Sequence, residues 1–238
     1  MRRFFGGIAL TMVMTAVVGE LASAQLAGNP VYAITPSVGV TLIGDYGRGL
    51  VVGESEKTDY MGGRLIFGFP GVSLWFGGGT YDNQTGAEKE MMLGGGVAVD
   101  FIREPSKPVV LSLQVGVGTG ACATECSVTN AVAGPSLKFN IPGAVGSVQP
   151  WLMPRVHATR FSMSGAVVNQ FGFGVSGGIN LTLPFGLGLH AVLDYATFSE
   201  TTSGAMIAEK RAPLIVGGGL HYRLSIPGFG TLMDARNR

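Results

Sequence analysis

Between residues 109 and 119 the chain reads VVLSLQVGVGT, with apolar side chains at every second position throughout. That is the two-residue period of a strand with one apolar face. The same period runs through RLIFGF (64–69), GGGVAVDF (94–101), FGFGVSGGINLTL (171–183), GLGLHAVLDY (186–195) and LIVGGGLHY (214–222). Pro70, Pro105, Pro142, Pro184 and Pro227 punctuate the chain at spacings of 35, 37, 42 and 43. A period near forty fits either a four-stranded propeller blade or a pair of long strands with two connections. Eleven unbroken alternating residues are too many for a blade of that period, so pairs of long strands are predicted. Short proline turns alternate with more polar connections at 47–58, 83–89, 121–128, 162–168 and 199–211. Ten strands are predicted, at 31–45, 59–69, 72–81, 90–102, 109–119, 129–140, 148–160, 169–183, 186–198 and 212–224. An even number of antiparallel strands, each long enough to cross a bilayer at a tilt, is the plan of an all-β, up-and-down transmembrane β-barrel. Its short turns would be periplasmic and its longer loops extracellular.

The N-terminus adds a compartment. MRRFF is a basic start, GGIALTMVMTAVVG an apolar core, and Ala22-Ser23-Ala24 a small-residue cleavage signature before Gln25. Residues 1–24 therefore read as a cleaved signal peptide, followed by a short lead (25–30), the barrel (31–224) and a C-terminal tail (225–238). The apolar run is shorter than the roughly 20 residues of a spanning helix. Removing residues 1–24 takes away Arg2, Arg3 and Glu20 and leaves 14 basic and 14 acidic residues, a neutral balance that offers nothing to nucleic acid. Charged residues are only 13 % of the chain and glycine reaches 39 of 238. An ordinary soluble exterior carries about twice that charge. Low charge without a long apolar helix suits a barrel, for which lipid replaces water around most of the circumference. Cys122 and Cys126 lie close together in ACATEC, and in an oxidising compartment they are expected to pair as a disulfide. No histidine stands near them in sequence to suggest a metal, and no cofactor motif is found.

The signal peptide, the alternation of short turns and polar loops, and glycine-rich strands such as FGFGVSGGINLTL resemble the small bacterial outer-membrane β-barrel proteins. The resemblance implies a Gram-negative outer membrane, porin-like architecture, lipid as the surroundings and insertion by the barrel-assembly machinery. In such families the last strand usually ends the chain on an aromatic residue. Here GGGLHYRL ends at Leu224, with Tyr222 two residues earlier, and SIPGFGTLMDARNR follows.

Applying the strand period throughout sets one uncharged face, which includes Leu65, Phe67, Val97, Val99, Leu113, Val115, Phe171, Phe173, Leu220 and Tyr222, toward lipid. The other face is the lumen and carries a polar set: Arg64, Asp100, Gln114, Lys138, Arg155, His157, Asn180, His190, Asp194, His221 and Arg223. Phe69, Phe101, Phe139 and Tyr222 fall near the short-turn ends, where an interfacial girdle belongs. Inward glycines such as Gly94, Gly96, Gly172, Gly174, Gly217 and Gly219 either leave a channel or accept aromatic neighbours such as Trp75, and the sequence leaves both open. The expected function is a structural, surface-interaction or minor pore role for a monomeric barrel without catalysis. Two alternatives are a surface hydrolase using His157 and Asp194 at the rim as base and orienting carboxylate, and a soluble periplasmic β-sandwich binding protein whose apolar face is its core.

Overall fold

A computed structural model of the chain describes residues 38–50, 59–82, 89–103, 108–121, 126–144, 146–163, 166–204 and 206–224. The signal peptide, the lead, Cys122 and the tail lie outside the described residues. The strands are β1 (Gly39–Leu50), β2 (Asp59–Phe69), β3 (Val72–Asp82), β4 (Glu90–Arg103), β5 (Val109–Ala121), β6 (Cys126–Phe139), β7 (Ile141–Gly143), β8 (Gly146–Met163), β9 (Ala166–Thr182), β10 (Leu187–Phe198), β11 (Thr201–Ser203), β12 (Met206–Ala208) and β13 (Leu214–Leu224). No helix occurs among the described residues.

Ten long strands form a single antiparallel sheet in the order β6-β5-β4-β3-β2-β1-β13-β10-β9-β8, and β8 pairs back onto β6 to close it. This is a barrel, and the two-sheet sandwich alternative is overturned because one continuous sheet returns to its starting edge. Closure satisfies the backbone groups that a free edge would expose. The β6–β8 ladder is interrupted between the pairs Ala133↔Val156 and Leu137↔Leu152. Pro135 and Pro154 lie in that gap, and neither has an N–H to donate. At the turn between β2 and β3 Phe69 pairs with Val72 across Pro70 and Gly71. Proline fixes φ at the first corner and Gly71 takes a φ of 77° at the second, a conformation side-chain-bearing residues resist.

Burial alternates along the strands as the period requires. In β10 Leu189 is 52 % exposed while the next residue, His190, is 7 % exposed. Leu93, Val117, Leu152, Phe171, Phe173 and Leu220 are all exposed on the outer wall. From Phe171 to Leu181, at about 3.3 Å per residue and a tilt of about 40°, the outward apolar face of β9 rises roughly 25 Å, the height of a membrane barrel's apolar band. Phe101, Phe139, Phe185 and Tyr222 are exposed toward the short-turn end. Toward the loop end the outer face turns polar: Arg48 Nε lies 3.7 Å from Asp59, Tyr46 donates to Asp59 at 3.2 Å, and Thr129 donates to Thr119 at 3.3 Å.

The strand limits differ most from the sequence reading at three places. Among the described residues the first strand runs from Gly39 to Leu50, past the expected end at 45, with Arg48 paired to both Asp59 and Val216, so GRGL is strand and not loop; residues 31–37 of the expected strand lie outside the described residues. The connection expected at 162–168 shrinks to 164–165, because Met163 and Val168 turn inward and pack in the mouth of the barrel. The one expected at 121–128 shrinks likewise, and Cys126 is the buried first residue of β6 instead of a loop residue.

Candidate functional site: the barrel lumen

The inward faces of neighbouring strands pair large side chains with glycines, and this sets the geometry of the lumen. Gly219 on β13 stands in register with Asp45 on β1 and with His190 on β10. With no side chain between them, His190 Nε2 reaches across β13 to donate to Asp45 Oδ1 at 2.7 Å. Arg64 closes the group, donating through Nε and Nη2 to Asp45 Oδ2, each at 2.7 Å. His221 stacks on His190 at 6.2 Å, and its Nε2 lies 3.0 Å from Thr182 Oγ1.

β9 repeats the device. Its inward residues include Gly172, Gly174, Ser176 and Gly178, between bulky residues of β8 and β10. Over Gly174, Arg155 Nη2 crosses from β8 to the Asp194 carboxylate on β10, and Ser176 Oγ donates to the same oxygen at 3.0 Å. Over Gly178 lies the Trp151 indole, whose Nε1 donates to Asn180 Oδ1 at 3.3 Å. Beside Gly172, His157 and Phe198 meet at 5.3 Å between ring centroids. Trp75 covers Gly96 and Gly116 in the same way. Gly96, Gly116, Gly172, Gly178 and Gly219 are therefore seats for side chains.

The other inward polar residues are placed as follows. Gln114 donates to Ser136 at 3.0 Å, and Ser112 and Ser136 share a hydrogen bond of 2.7 Å. Lys138 is fully buried, in the electrostatic reach of Asp100 and Arg223. His157 and Asp194 do not combine: the carboxylate is engaged by Arg155 and Ser176, while neither ring nitrogen of His157 has a hydrogen-bond partner. The sequence reading omits Asp45, because it ends the first strand at that residue. With Asp45 included, the lumen's acidic and basic residues are more nearly balanced than the sequence list suggests.

At the loop end the interior holds an apolar cluster. Tyr60, Tyr81, Met92, Phe161, Val168 and Phe198 form one buried cluster, joined by Ala208 of the β11–β12 hairpin. Residues 199–204 and 206–211 thus form a strap over the barrel mouth. Gln170, fully buried on β9, holds it by donating to the carbonyls of Ser199 at 2.7 Å and Glu209 at 2.9 Å, and by accepting from Arg211 Nε at 3.0 Å. The Arg211 guanidinium stacks over the Phe198 ring at 4.1 Å. Burial lowers its pKa to about 9, so it is still a cation at neutral pH. In sequence this segment reads only as a polar connection.

No protein-family model and no curated protein sequence matches the chain. Solved structures are similar in fold. The N-terminal β-barrel domain of OprF from Pseudomonas aeruginosa is similar at 10 % identity, over 80 % of this chain and 100 % of that one, with a TM-score of 0.38. The outer-membrane protease OmpT from Escherichia coli gives 10 % identity, 82 % and 99 % coverage and a TM-score of 0.40. The translocator domain of the autotransporter NalP from Neisseria meningitidis gives 11 % identity, 85 % and 92 % coverage and a TM-score of 0.45.

Proposed function

We propose that the protein is an outer-membrane β-barrel whose lumen is closed by its own side chains, and that it serves as a structural and surface-interaction element, not a pore. One observation carries this reading: Lys138, His157, Gln170, Ser176 and Asn180, which all point inward at different heights, are at most 1 % exposed. A path wide enough for water would leave accessible surface on such residues. The apolar outer wall supports lipid as the surroundings, and the signal-like N-terminus supports export to the outer membrane. The closed sheet leaves no edge that needs a partner, in keeping with a monomer inserted by the barrel-assembly machinery. A disulfide between Cys126 and Cys122 would fix the third loop against the mouth cluster that Cys126 joins. The reading assigns the barrel no reaction, since the carboxylate a His157 base would need is committed to Arg155.

Pure protein in planar lipid bilayers is expected to be electrically silent across independent reconstitutions. Small, stable conductance steps that scale with the number of inserted barrels would contradict the closed lumen.

A further inference from the structure

Where the apolar band of the outer wall ends on the loop side, one cation stands without a counter-charge. Thr119, Thr129, Arg160 and Asn169 are in register across β5, β6, β8 and β9, and all four lie on the outward face. The next row toward the membrane is Val117, Ala131, Ala158 and Phe171, all exposed and none polar. The next row toward the loops is Ala121, Ser127, Ser162 and Val167. No carboxylate falls in any of the three. Arg160 has no ion pair and no hydrogen bond among the described residues. Arg48, the outward arginine on β1, differs in having Asp59 at 3.7 Å.

The neighbours of Arg160 narrow what it can hold. Thr129 donates to Thr119 at 3.3 Å, and Thr119 donates to the Val128 carbonyl at 3.1 Å, so both hydroxyl protons are committed within the wall. That leaves the Arg160 guanidinium and the Asn169 carboxamide, adjacent on β8 and β9, as the donors facing outward. A cation at the edge of a lipid band is drawn to anionic headgroups, and its attraction to them is screened by salt. The guanidinium is a planar fork that matches two oxygens of a phosphate, and a carboxamide adds a further N–H. Below them Ala131 and Ala158 keep the wall low between Val117 and Phe171. A chain attached to that phosphate has room to lie against the barrel there.

We propose that Arg160 and Asn169 hold the phosphate of a membrane lipid at the loop-side interface, with an acyl chain of the same lipid over Ala131 and Ala158. The site rests on the lipid-embedded barrel proposed above and adds a ligand to its outer wall. It needs no space in the lumen.

The test uses the full-length folded barrel in detergent micelles, titrated with phosphatidic acid, phosphatidylcholine, diacylglycerol or inorganic phosphate and read by native mass spectrometry. The heat-modifiable gel shift reports the fold. One phosphatidic acid per barrel is expected to be retained at a concentration about tenfold below that needed for phosphatidylcholine, whose choline cation already offsets its phosphate. Diacylglycerol and inorganic phosphate are expected not to be retained. Arg160→Gln is expected to bind phosphatidic acid about tenfold more weakly, and Arg160→Lys, which keeps the charge and loses the fork, falls between. Arg48→Gln, at an arginine already paired with Asp59, is expected to change nothing. Equal retention of the three lipids, unchanged affinity in Arg160→Gln, an equal loss in Arg48→Gln, or retention of inorganic phosphate alone overturns the site. A folded barrel without the preference counts against the site only, whereas a chain that gives no heat-modifiable form contradicts the membrane barrel and the site with it.

Discussion

Replacing Asp45 by alanine is expected to lower the unfolding free energy by about 3–5 kcal/mol, the cost of removing one partner of a buried ion pair and leaving the other behind. Asp45 accepts from both Arg64 and His190, and all three are buried, so the substitution strands a guanidinium that water cannot reach. The measurement is the urea midpoint of the folded band in lipid vesicles. Combining Asp45→Ala with Arg64→Met should restore much of the loss, because the orphaned charge goes with its partner. A single-variant loss below about 1 kcal/mol would mean that the pair behaves as an exposed one, and the packed lumen described above would be wrong.

Leu189→Arg is expected to cost about 1–2 kcal/mol in the same vesicles, the depth-dependent penalty for a cation on the lipid face of a barrel between its midplane and the short-turn interface. Its neighbours support the placement: Leu181 lies beside it on β9 and Leu220 on β13, both exposed on the outer wall. The same substitution at Glu200, exposed just past the loop end of β10, should be close to neutral, since it meets water and headgroups. Equal, small effects at 189 and 200 would place both residues in water.

Most of the barrel is legible in the sequence because lipid outside and packed polar groups inside make opposite demands on alternate residues. Leu189 and His190 are told apart by that alone. The rule fails near the mouth, where Met163, Val168 and Phe198 turn inward among apolar neighbours and an apolar residue no longer marks the lipid side. That is why the sequence makes the connection near 164–165 look longer than it is. Glycine is the other blind spot. Gly219 looks the same in sequence whether it leaves a void or seats a histidine, and only its register with Asp45 and His190 decides. Gln170 and Arg211 escaped notice for a related reason: a strap held by one buried side chain has the composition of an ordinary polar loop.

Site-directed spin labelling along β10 tests the membrane-spanning barrel most directly. Single cysteines at 187, 189, 191 and 193 on the outer wall, with a rim control at 200, are labelled and reconstituted in vesicles. The account predicts strong broadening by oxygen, which concentrates in lipid, at the four wall positions, with a water-soluble nickel complex acting only at 200. If the nickel complex broadens the wall positions as strongly as position 200, the leucine face lies in water and the membrane barrel is contradicted.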